Sequence, residues 1–208
     1  MMMRALLAVA LSVVAIGARG ETGDYNFRVW LDDREIGRHQ FVLRRDGGTR
    51  EVVSKAQFDV RVLFIDAYRY RHEALERWDD RCLRSLVSTT ETNGDRQRVV
   101  ASVRGDGFVV ERQEGREAFD GCVMTFAYWN PRILAANRLL NSQTGEMLPV
   151  TVTSRGEEVL EVRGQPQRAR RYRIDAGKLQ IDLWYVDDRW AGLEAVVAGG
   201  RRLRYELL

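Results

Sequence analysis

Long stretches of this chain alternate apolar and polar side chains with a period of two. Tyr25, Phe27, Val29 and Leu31 share one parity, and Asn26, Arg28 and Trp30 the other. Leu179, Ile181, Leu183 and Tyr185 oppose Gln180, Asp182 and Trp184 in the same way. That period sorts side chains onto the two faces of a strand and would scatter them around a helix. Turn signals punctuate it at Asp46-Gly47-Gly48, Asp187-Asp188, Gly199-Gly200 and Asn93-Gly94, of which Asn-Gly is the strongest short hairpin signal. About eleven such strands predict an all-β fold with one short helix, built as a strongly curved antiparallel sheet or half-barrel. The chain has only three prolines, in keeping with that fold.

Residues 121–134 break the alternation. Phe126, Tyr128 and Trp129 crowd together beside Cys122, and Asn130-Pro131 can cap and begin a helix. The expectation is a helix over about residues 131–140. It would form part of a plug, around residues 122–140, lying between two runs of sheet. Residues 60–67 are too apolar for an ordinary loop and are read as a strand bend or an apolar flap.

The first twenty residues read as a secretory signal peptide: Arg4, then an apolar run, then the small-residue exit Ala18-Arg19-Gly20. That apolar run is too short to span a bilayer. The expected product is a periplasmic protein with no transmembrane segment after cleavage. Removing twenty of the 208 residues leaves 188, read as a single antiparallel β domain over residues 21–208. The loss of Arg4 and Arg19 lowers the net charge from +3 to +1, so the basic pI carries no nucleic-acid signature. Lys occurs only at Lys55 and Lys178, and the many arginines are expected to pair with carboxylates on the outer face. Cys82 and Cys122 are the only cysteines, and in an oxidising compartment they are expected to form a disulfide.

Chemical signatures are sparse. His39 and His72 are the only histidines, and no further ligand falls at a metal-binding spacing from either. A joint site would need their two strands to converge. The Asp pairs fall at turns, where Asp bonds nearby amides. No nucleophile elbow or phosphate-cradling glycine loop is present, since Gly105-Asp106-Gly107 precedes a strand and not a helix. No catalytic residue, metal site or cofactor is assigned, and an enzyme is the less favoured class.

The aromatic residues are the remaining signal. As ordinary core they need no explanation. As a functional surface they would line an apolar groove beneath the plug. The groove candidates are Tyr68, Tyr70, His72, Phe126, Tyr128 and Trp129, with Arg69 or Arg132 near the mouth for an anionic head group. At residues 59–72, 121–134 and 202–207 the sequence resembles a family of exported proteobacterial proteins carrying a domain of unknown function. That family has no established activity, so the resemblance carries over no catalytic residue. More distantly, many antiparallel strands with a short helical plug are similar in layout to periplasmic lipoprotein carriers of the LolA/LolB type. The leading expectation is a protein that binds or carries a lipid or acyl ligand in the cell envelope. The alternatives are an envelope protein–protein interaction module with a solid core and, last, a hydrolase on an envelope polymer.

Overall fold

The structure, a computed structural model, describes residues 23–62, 65–79 and 81–208. The signal-peptide expectation falls outside them. Among the described residues, no helix is long and apolar enough to cross a membrane.

The first run of strands comprises β1 (Gly23–Leu31), β2 (Arg34–Asp46), β3 (Thr49–Val62), β4 (Ile65–Trp78), β5 (Leu83–Thr92), β6 (Asp95–Arg104), β7 (Gly107–Arg112) and β8 (Gly115–Asp120). A five-residue 3-10 turn (Pro131–Ala135) and two short strands, β9 (Arg138–Leu140) and β10 (Met147–Pro149), follow. The second run comprises β11 (Thr151–Val162), β12 (Gln165–Ala176), β13 (Leu179–Val186), β14 (Arg189–Val197) and β15 (Arg201–Leu207). Both runs belong to one thirteen-stranded sheet in the order β11-β12-β13-β14-β15-β1-β2-β3-β4-β5-β6-β7-β8. Nearly every pair is a hairpin between consecutive strands. The exception is β1 with β15, where Val29 faces Tyr205 and Leu31 faces Leu203. The sheet is curved and open, with β11 and β8 as its two ends. The strand count exceeds the expected eleven chiefly because residues 115–120 pair along β7 as β8, and β9 and β10 form a small sheet of their own.

Strand twist and bulges supply the curvature. Pairing registers shift at Val29/Trp30, Val60/Arg61 and Arg77/Trp78. At Gly37, opposite the first of these, a Cβ would stand 1.9 Å from the Gln57 carbonyl oxygen, and its φ is +152°. Only glycine lets β2 press this closely on β3. Of the expected bend or flap over residues 60–67, Val60, Arg61 and Val62 pair with Tyr68, Asp66 and Ile65 across β3 and β4, and Leu63 and Phe64 lie outside the described residues.

The concave face holds the core. Trp190 of β14 is fully buried, with its ring centre 4.2 Å from that of Phe27 and 5.3 Å from those of Phe41 and Tyr128. The plug covers much of this face. Ile133, Leu139 and Leu140 are fully buried, and Trp129 meets Trp78 edge to face at 5.4 Å. The main chain ties the plug to the sheet, as Leu83 N–H donates to the Val123 carbonyl and the Tyr185 hydroxyl donates to the Tyr128 carbonyl, each at 2.8 Å. The Sγ atoms of Cys82 and Cys122 lie at disulfide distance, 2.07 Å.

The plug corrects the expected helix. Asn130 does cap, accepting from the Arg132 amide, and Pro131 does open the turn, but the turn stops at Ala135. Leu140 N–H instead donates to the Met124 carbonyl, and β9 pairs with β10. Burying Leu139 and Leu140 against the sheet overrides the local helix signal.

Replacing Gly37 by Ala is expected to lower stability by at least about 1–3 kcal/mol, because the backbone strain is joined by a main-chain clash. Replacing both cysteines by Ser should remove about 4 kcal/mol by the chain-entropy estimate. Urea denaturation of each variant measures both effects.

Candidate ligand-binding cavity

The inward parity of β4 presents Tyr68, Tyr70, His72, Ala74 and Glu76 in one row, and β3 presents Val52, Ser54, Ala56, Phe58 and Val60 beside it. Leu193 and Ala195 of β14 and Leu203 and Tyr205 of β15 form the facing wall. Phe126, Ala127, Tyr128 and Trp129 of the plug roof the space between them. The result is a cavity of about 600 Å³. Its wall is small where it is flat, at Ala56, Ala74 and Ala195, and its roof is aromatic. That mismatch in side-chain volume is what leaves the space open. Tyr68 (37% exposed) and Arg201 stand where the cavity meets solvent, and Arg201 is paired with Asp32 at 2.9 Å.

Both histidines on the wall are held by hydroxyl groups. His39 Nε2 lies 2.7 Å from Ser54 Oγ, and its Nδ1 lies 3.2 Å from the Tyr205 hydroxyl. His72 Nδ1 lies 2.9 Å from Thr90 Oγ1. Strand register aligns the two histidines, since His39 pairs with Ala56 and Ala56 with His72. Their strands do converge on one wall, although each ring has its own hydroxyl partner and no cluster of three metal-binding side chains occurs among the described residues. Burial disfavours the imidazolium, lowering His39 to about 3 and His72 to about 4. His39 retains some accessible surface, but that surface faces the cavity, so its ring remains surrounded by protein.

Glu76 is the unexpected member. Its carboxyl group is buried, 7% exposed, and accepts from Trp78 Nε1 at 2.9 Å. The Thr125 hydroxyl is near enough to favour its charged form but lies outside hydrogen-bond geometry and has no partner of its own. Burial outweighs both neighbours and raises Glu76 to about 7.

Of the residues singled out in the sequence, Tyr68, Tyr70, His72, Phe126, Tyr128 and Trp129 all line the cavity. Trp129 serves the core as well. Arg69 and Arg132 do not line it. Arg69 has the opposite parity on β4 and lies 3.8 Å from Asp59 on the outer face, and Arg132 is exposed on the 3-10 turn. Glu76 was legible as the next inward position after Ala74 on the same strand. Ser54 and Tyr205 had no comparable signal, because their place depends on which strands become neighbours.

The family described as Domain of unknown function (DUF6134) matches residues 27–208. No curated protein matches the chain. Among solved structures the chain is similar to a beta-barrel-like protein of Domain of Unknown Function DUF1849 from Brucella abortus. The TM-score is 0.66 at 12% identity, and the match covers 90% of this chain and 95% of that one. That likeness shows the fold alone. Neither comparison names a carrier of the LolA/LolB type.

The buried groups set opposing pH dependences. An unfolded histidine takes a proton below about 6.5, whereas folded His39 and His72 resist it down to about 3 and 4, so their contribution is lost as pH falls below about 6.5. Folded Glu76 keeps a proton that the unfolded chain releases above about 4.5, so its contribution is lost as pH rises toward about 7. Stability should therefore rise with pH between about 4.5 and 6.5, two histidines opposing one carboxyl. His72→Gln should flatten that rise by up to about 1.4 kcal/mol per pH unit, and Glu76→Gln should steepen it by a similar amount. Urea denaturation across this range reads both slopes.

Proposed function

Because the chain belongs to the DUF6134 family, a domain of unknown function, its role is to be read from the cavity, and we propose that it binds or carries a hydrophobic, lipid-like ligand in the cell envelope. The observation behind this reading is the cavity of about 600 Å³ under the aromatic segment. Protein interiors are close-packed, so a space of this size is not what imperfect packing leaves. It falls within the ~300–1,000 Å³ range of small-molecule sites and shares their character, an apolar wall with a few polar groups. The envelope is the compartment expected from the signal sequence.

The two alternatives receive less support. The interaction-module reading assumed a solid core beneath the plug, and the cavity removes that premise. For a hydrolase, the nearest arrangement is Ser54 Oγ against His39 Nε2 at 2.7 Å. Ser54 lies in mid-strand, paired with Phe41 on one side and Ala74 on the other, so the neighbouring amides are engaged in the ladder. An acyl-transfer site needs free donors for the oxyanion.

Native mass spectrometry of protein isolated from the periplasm should show a co-purifying apolar mass, and the purified protein should take up an uncharged naphthyl-phenylamine dye. Ala56→Phe, which fills the space between the two histidine rows, should weaken dye uptake at least tenfold while the far-UV circular dichroism is retained. The absence of both a co-purified mass and dye uptake would sink the reading. Along a homologous ligand series, each added methylene should tighten binding by up to about 0.8 kcal/mol, roughly fourfold, until the cavity is filled.

A further inference from the structure

The charge inside the cavity is one-sided. Among the described lining residues, Glu76 is the only carboxylate, and the only cation is Arg201, at the rim and paired with Asp32. His39 and His72 are held neutral by burial. A buried anionic head group would therefore meet no counter-ion and one group of its own sign, an arrangement that desolvation makes costly.

An ammonium group meets the opposite situation. The Glu76 carboxyl uses one acceptor position on Trp78 Nε1, whereas an ionised carboxylate offers about four. An ammonium brings three donors, enough to fill the acceptor positions that Trp78 leaves open on Glu76. Trp129, Tyr128 and Tyr70 line the same cavity, and aromatic faces attract cations. The Trp129 ring already holds the Arg50 guanidinium over it at 5.0 Å.

We propose that the cavity selects a cationic amphiphile, a long-chain amine seated with its ammonium on Glu76 and its chain along the apolar wall, in preference to a fatty acid. This inference rests on the carrier reading and adds the class of head group to it. It also replaces the anionic head group expected from the sequence, which depended on Arg69 or Arg132 standing at the mouth. Burial raises Glu76 to about 7, so the cavity wall carries a carboxyl whose charge no neighbouring cation compensates, as a site that receives its cation from a ligand would.

The test displaces the uncharged dye with dodecylamine, dodecanol and dodecanoate, all below their micelle concentrations at neutral pH. Dodecylamine should bind at least tenfold tighter than dodecanoate, with dodecanol between them. Glu76→Gln should bring dodecylamine down to the level of dodecanol, with far-UV circular dichroism reporting that the variant is folded. Glu76→Leu serves the same purpose should the Gln variant fail to fold. Equal or tighter binding of dodecanoate, or an amine preference that survives loss of the carboxylate, overturns the inference and leaves the carrier reading standing. If the dye itself is not taken up and none of the three ligands binds, the carrier reading fails with it.

Discussion

The pairing of β1 with β15 is the constraint on which the rest of the molecule depends. It brings the first and last described strands of the chain side by side and converts two separate meanders into one sheet. The Asp32 carboxylate at the β1–β2 turn braces the junction, accepting from the Arg202 amide and the Arg201 guanidinium, each at 2.9 Å. Without this pairing each run would be a twisted ribbon with one apolar face and nothing to bury it against. With it, twist accumulates across thirteen strands, and the apolar faces of β1 to β4 come to oppose those of β13 to β15.

A sheet of this width that stays open leaves its concave face to be covered by something else. The plug does this with few residues because those residues are large and the backbone around them is hydrogen-bonded to the sheet or within the plug. Trp129, Ile133, Leu139 and Leu140 fill one end, and Trp190 joins β1, β2, β14 and the plug through ring contacts. At the other end the plug passes over Ala56 and Ala74, and the volumes no longer match. The cavity is thus a consequence of which strands carry small residues where the aromatic roof crosses them. Its polar groups follow from the same geometry. A row of side chains on β4 that is otherwise Tyr, Tyr, His and Ala places one carboxyl group in a buried position on the cavity wall.

Much of this was legible in advance. A period of two sets Tyr68, Tyr70, His72 and Ala74 of β4 on one face, and the structure has all four on the cavity wall. The break at residues 121–134 marked the plug, and Cys82 and Cys122 marked its tether. Arg69 was misplaced by overriding that same alternation, because odd positions on β4 face outward. The helix was misread because a cap and a proline describe only how a turn starts, while its length depends on what the following leucines pack against.

The sequence by itself determined the strands, their faces, their turns and the position of the interruption, because those follow from local periodicity and backbone preference. It could not determine that His39, Ser54 and Tyr205 would meet, or that Glu76 would lie buried beneath an aromatic roof. Those contacts join positions as many as 166 residues apart. They exist only once β1 has paired with β15 and the sheet has curled. Burial, and the chemistry that burial imposes on a carboxyl or an imidazole, belongs to that tertiary arrangement and to no single stretch of the chain.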